Sequence, residues 1–141
     1  MKRIFIALVA LLLLVSMVSC GAELSMEQVV EKMNSYADKY EKFSYYDGED
    51  AKEIAEEVFE ETETEPKEIV SCYFLEYDYE YEGIVVEFGS EADAKAFVEA
   101  GNKEVDGFKW TDEFQHGVCE NRGKIAILGS EIFITMLFGE E

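Results

Sequence analysis

Hydrophobic patterning divides the chain into three regimes. Residues 4–15 form an unbroken apolar run of 12. Further on, Met26, Val29, Met33, Tyr36, Ala37 and Tyr40 recur at helical spacing. Ser25 with Gln28 has the form of a capping box, and Leu24 with Val29 the form of a hydrophobic staple. The spacing predicts a helix of about four turns over 26–40. Asp47-Gly48-Glu49 reads as a turn. Asp50 with Glu53 reads as a second capping box, opening a helix whose apolar face is Ala51, Ile54, Ala55 and Val58. Residues 60–67, which contain the only proline, Pro66, form a polar linker.

From Ile69 the period shortens to that of strands. Residues 69–77 are rich in β-branched and aromatic side chains, and Gly83 separates them from a second apolar run at 84–88. Gly89-Ser90 caps a helix over 91–100, which Gly101 ends. Residues 103–116 have no clear period. A second hairpin, 118–120 with 124–128, turns on Asn121-Arg122-Gly123. Residues 130–138 fit strand or helix by composition. Ile127-Leu128-Gly129-Ser130-Glu131 echoes Val86-Glu87-Phe88-Gly89-Ser90-Glu91, and the echo assigns this tail to a helix. The predicted fold is α+β: two N-terminal helices followed by a ββα-ββα two-layer sandwich, one sheet face buried under helices.

Lys2 and Arg3 precede the apolar run at 4–15, which is too short to cross a membrane and fits the core of a signal peptide. It ends in Ser16-Met17-Val18-Ser19-Cys20, which resembles the lipobox of bacterial lipoprotein precursors. The resemblance covers the first twenty residues. It implies that signal peptidase II cuts before Cys20 and that Cys20, linked to diacylglycerol, becomes the mature N-terminus on the extracytoplasmic face of the cell membrane. Residues 1–19 are then the signal peptide, 20–24 a lipidated tether and 25–141 a single domain. The competing reading is an ordinary secretory signal with an incidental cysteine. Two acyl chains anchor a protein stably where one does not.

Charge narrows the function. The chain has 32 acidic and 12 basic residues; without residues 1–19, 10 of the basic residues and all of the acidic ones remain, a net charge of −22. Such a surface argues against nucleic-acid partners, which need clustered Lys and Arg. The single histidine, His116, cannot build a zinc site of several imidazoles. On a negatively charged membrane, the least acidic face of the domain is expected to turn toward the lipid.

Three groups of residues carry candidate chemistry. In a strand, Glu76, Asp78, Glu80 and Glu82 would line one side and the intervening tyrosines the other, a ribbon whose repulsion a divalent cation could relieve. The alternative is a solvent-facing ribbon whose acids protect a sheet edge. Cys72 and Cys119 could close a loop of 46 residues as a disulfide, or be two small buried hydrophobes. His116 and Cys119 would project to opposite faces of a strand, which speaks against a nucleophile–base pair. Phe108, Trp110 and Phe114 form a candidate binding surface for a protein or peptide, with a short core-filling strand as the alternative. No phosphate loop, nucleophile elbow or paired-cysteine motif is present. The sequence therefore predicts no enzyme, cofactor or metal site. It predicts a non-catalytic interaction module held to the membrane through Cys20, or alternatively an accessory lipoprotein that binds a small ligand or a divalent cation.

Overall fold

A computed structural model describes residues 25–40 and 42–138 of the chain. The expected signal peptide, Cys20, the expected tether and Leu24 of the expected staple lie outside the described residues. The fold is α+β. Helix α1 (Met26–Ala37) opens as expected: the Gln28 N–H donates to Ser25 Oγ at 3.3 Å and the Ser25 N–H to Gln28 Oε1 at 3.1 Å. Strand β1 (Phe43–Asp47), helices α2 (Gly48–Glu53) and α3 (Glu56–Thr62), and strands β2 (Glu68–Glu76) and β3 (Tyr79–Glu87) follow. Next come helix α4 (Glu91–Asn102), a 3₁₀ turn (Trp110–Glu113), strands β4 (Gly117–Arg122) and β5 (Ile125–Ser130), and helix α5 (Glu131–Phe138). The five strands form one antiparallel sheet in the order β1-β2-β3-β5-β4.

The sheet is buried on both faces, so the two-layer expectation is corrected to three layers. Val70, Cys72, Phe74, Tyr81, Val85, Ile125 and Ile127 pack under α1 and α5. Their neighbours in sequence, Ile69, Ile84, Val86, Ala126 and Leu128, pack under α2, α3 and α4. Consecutive apolar residues in a strand point to opposite faces. Runs such as Ile84-Val85-Val86 therefore need a cover on each side, as buried strands do.

The start of the domain also differs from the expected pair of helices. Residues 43–47 form an edge strand, with Phe43 and Tyr45 turned to the α1 side, and Gly48 at φ +55° carries the chain from that strand directly into α2. Asp50 thus falls inside the first turn instead of capping it. The helix breaks at Ile54-Ala55, which leaves Ile54 38% exposed while Ala51, Ala55 and Val58 stay buried.

Gly83 is not a turn. The β2–β3 hairpin reverses at Tyr77-Asp78, with Glu76 opposite Tyr79, and Gly83 lies mid-strand between Cys72 and Gly129. A Cβ at Gly83 would run into the ring of Phe133, the fully buried anchor of α5. The tail helix sits on that gap. The two Gly-Ser repeats play different parts: Ser90 Oγ accepts from the Asp93 N–H at 3.2 Å and caps α4, whereas Ser130 Oγ bonds the Glu82 backbone of β3 at 3.4 Å.

The last carbonyls of α5 are met by groups from other elements. Tyr36 Oη donates to Met136 O at 3.4 Å, Lys32 Nζ to Leu137 O at 2.8 Å and Arg122 Nη1 to Phe138 O at 3.3 Å. Cations at a helix C-terminus complement its dipole. Among the described residues, no helix is long and apolar enough to cross a membrane.

The Gly83–Phe133 contact yields a prediction. Gly83→Ala should lower stability by about 1–3 kcal/mol in urea titrations, as overpacking does. In the Gly83→Ala background, Phe133→Leu should cost less than it does alone. Additive losses would show that the two sites are not packed as described.

Candidate functional site

The aromatic loop at 103–116 is built on a two-residue turn. Val105 and Phe108 exchange backbone hydrogen bonds at 2.8 and 3.0 Å around Asp106 (φ 53°) and Gly107 (φ 83°), the left-handed pair that a tight hairpin needs. The Lys109 N–H then donates to Asp112 Oδ2 at 2.8 Å, opening the 3₁₀ turn. This scaffold leaves Val105 48% and Phe108 40% exposed. Trp110 is half-buried against the α2–α4 core, edge-to-face with Phe108 at 6.1 Å between ring centroids. Phe114 is buried in that core and does not join the surface. The candidate trio therefore reduces to Phe108 and Trp110, with Val105 beside them. Val105 escaped notice because its exposure follows from the turn geometry and not from its type.

The acidic ribbon does not exist as a single face. Because the hairpin reverses at Tyr77-Asp78, Glu76 ends β2, Asp78 occupies the turn, and Glu80 and Glu82 belong to β3. Glu76 lies on the α1–α5 side, where Tyr81 Oη donates to it at 3.3 Å; Glu80 and Glu82 alternate onto the opposite side. Burial, then the charges of Glu80 and Glu113, raises the Glu82 carboxyl above its ordinary value. Among the described residues no three His, Cys, Asp or Glu side chains converge as metal ligands. The tyrosines divide as well. Tyr81 is buried, stacked on Phe74 at 4.6 Å, while Tyr77 is 88% exposed at the tip with φ 56°.

Cys72 and Cys119 are both free and buried. The first faces the α1–α5 core from β2 and the second the α2–α4 core from β4, with β3 and β5 between them. Three strand spacings, about 14 Å, exceed disulfide reach, so of the two alternatives the sheet order excludes the bond and leaves two small buried hydrophobes. Desolvation pushes both thiols up to about 12, helped at Cys119 by Glu120. His116 is exposed at φ 50° just before β4 and provides no base for either.

A groove of about 470 Å³ has no counterpart in the sequence reading. It lies where β1 enters α2 and where β2 begins, lined among others by Tyr45, Lys52, Glu65, Pro66, Lys67 and Glu68. Lys52 Nζ and Glu65 Oε2 stand 3.6 Å apart at its rim. Its walls come from α1, β1, α2 and the start of β2, so no short motif could announce it. A scan of protein-family models, a search of curated proteins and a search of solved structures each find no match to the chain.

The thiols make a pH prediction. Each folded value, about 12, stands above the ordinary 9.0. Above pH 9 the unfolded chain therefore releases protons that the folded chain retains. The stabilisation is complete below pH 9 and is lost as pH rises toward 12. Urea midpoints should fall between pH 8 and about 10.5, less steeply in the Cys72→Ala, Cys119→Ala variant. The tyrosines raised by burial, Tyr36, Tyr40, Tyr45 and Tyr81, keep part of the slope. An identical slope in the variant would contradict the burial of the thiols.

Proposed function

We propose that this protein is a lipid-anchored lipoprotein on the extracytoplasmic face of the membrane, held through Cys20, whose domain is a non-catalytic protein or peptide interaction module. We read its frame as two ββα units, β2–β3–α4 and β4–β5–α5, preceded by helices. The observation that supports the module is the preformed turn exposing Val105 and Phe108 beside Trp110. Phe108 is the one exposed phenylalanine among the described residues. A rigid turn presenting aromatic area loses little conformational entropy on binding, which favours a specific contact. The acidic surface suits a basic or neutral partner. The second reading, small-ligand binding, is favoured by the groove beside Tyr45 and Lys52; the divided acidic ribbon lends nothing to a cation.

The test is a crosslinking pull-down from intact cells carrying the lipidated protein, run beside Val105→Ser, Phe108→Ala and Phe108→Ala, Trp110→Ala variants. The first pair touches only exposed side chains, so its melting temperature should stay near that of the parent. A stoichiometric partner lost from both variants is the expected outcome. A partner retained by both would remove the site from this loop. No partner with any of the three proteins would shift the reading to a small ligand in the groove.

A further inference from the structure

Helix α5 is the least charged helix in the domain. Glu131 is its one ionisable residue, and Ile132, Met136 and Phe138, packed against the edge of the α1–α5 core, stay half-buried, as does Thr135. Its C-terminal end is flanked by Lys32 and Arg122, which donate to the carbonyls of Leu137 and Phe138 at 2.8 and 3.3 Å. The Arg122 guanidinium stands 5.0 Å from the centre of the Phe138 ring. The opposite layer is the inverse: Glu56, Glu57, Glu60, Glu61 and Glu63, on and just beyond α3, are all exposed.

The chain enters the domain at that same end of α5. Tyr40, just past α1, stacks on Phe74 at 4.3 Å, near the β2–β3 hairpin, while Val30 lines the groove with Asp47 and Val70. Helix α1 therefore runs so that Ser25 lies at the end where β4 turns into β5, since Asp47 pairs with Val70, Glu68 with Glu87, and both Glu87 and Arg122 with Ile125. Cys20 stands five residues before Ser25, a span of at most about 18 Å. A lipid on Cys20 brings this end, and not the Tyr77 hairpin, to the bilayer.

We propose that the half-buried side of α5 at Ile132 and Met136, with Lys32 and Arg122 at its C-terminal end, lies against an anionic lipid surface. The α3 layer and the Val105–Phe108 turn then face away from it. This inference rests on the reading of Cys20 as lipidated. Apolar area beside cations is drawn to an anionic bilayer by burial and charge together, and the glutamates of α3 would be repelled from it. The same orientation leaves Trp110, which packs on the α2–α4 side, clear of the membrane.

The experiment uses the full lipidated protein with one fluorophore-labelled cysteine at Met136, Glu60 or Tyr77. Cys72 and Cys119 are buried and stay unlabelled. Thr135→Cys serves if Met136→Cys does not fold. The proteins are bound to phosphatidylglycerol vesicles containing brominated phosphatidylcholine and separated by flotation. The protein should float, the Met136 label should lose about half its emission to shallow bromines, and the Glu60 and Tyr77 labels should be unaffected. Floating protein with an unquenched α5 label, or with a quenched Glu60 or Tyr77 label, overturns the orientation and leaves the anchor standing. Protein that does not float overturns the anchor, and the orientation with it.

Discussion

Burial of the sheet on both faces is the constraint from which the rest of the structure follows. Strands β2, β3 and β5 alternate not apolar with polar but one core with another: Val70, Val85 and Ile127 face α1 and α5, while Ile84, Val86 and Leu128 face the other helices. Each fully buried aliphatic side chain contributes roughly 1.5–3 kcal/mol over exposure, so an uncovered face would cost more than a domain of this size has in hand. Five helices in two layers are the means of covering it. Gly83 lets the tail helix approach closely enough to seat Phe133, and its partner Gly129 lets β5 lie close against the β3 backbone.

That apolar centre tolerates an extreme surface. The acidic excess is carried by exposed faces, and the ion pairs there span 3.0 to 4.0 Å between side chains that are part or largely exposed. Such pairs contribute about 0–1 kcal/mol each. Net repulsion is therefore opposed by packing more than by pairing. The cations with structural use are Lys32 and Arg122, bonded to the end of α5, where the helix dipole makes a positive charge most useful.

The parts legible in the sequence were those governed by local geometry. The Ser25–Gln28 box, the Ser90 cap and the hairpin around Gly123 all depend on contacts within a few residues, although the turn itself is Gly123-Lys124, with Asn121 and Arg122 in β4. What escaped was set by residues far apart. Gly83 looks the same in sequence whether it turns a chain or makes room for a ring, and only Phe133, fifty positions away, decides. Taking Gly83 as the turn put Glu76 and Glu80 on one strand and created the ribbon. The sequence left the cysteines open between a bond and two buried hydrophobes for the same reason, since spacing is silent on which face of which strand a cysteine occupies. Strand β1 was hidden by Tyr36 and Tyr40, whose helical spacing leads straight into it. Of the candidate surface, Phe108 and Trp110 were legible as aromatics without a period. Phe114 was not separable from them, and the groove, assembled from distant segments, left no mark.

The two exposed tips differ in how they are held, and this decides which is the better instrument for binding. At the Val105–Phe108 turn the left-handed residues are Asp106 and Gly107, types that adopt such conformations readily. The aromatic display there costs the fold little and is stiff. At the β2–β3 turn the left-handed residue is Tyr77, for which φ 56° carries a penalty of roughly 1–2 kcal/mol with no packing in return, since its ring is almost fully in solvent. Strain alone does not make a site, and among the described residues no ring contacts Tyr77. Phe108 has Trp110 edge-on at 6.1 Å, backed by a packed core. A ligand meeting that pair would gain apolar contact without first ordering it, which makes it the better suited of the two to the proposed role.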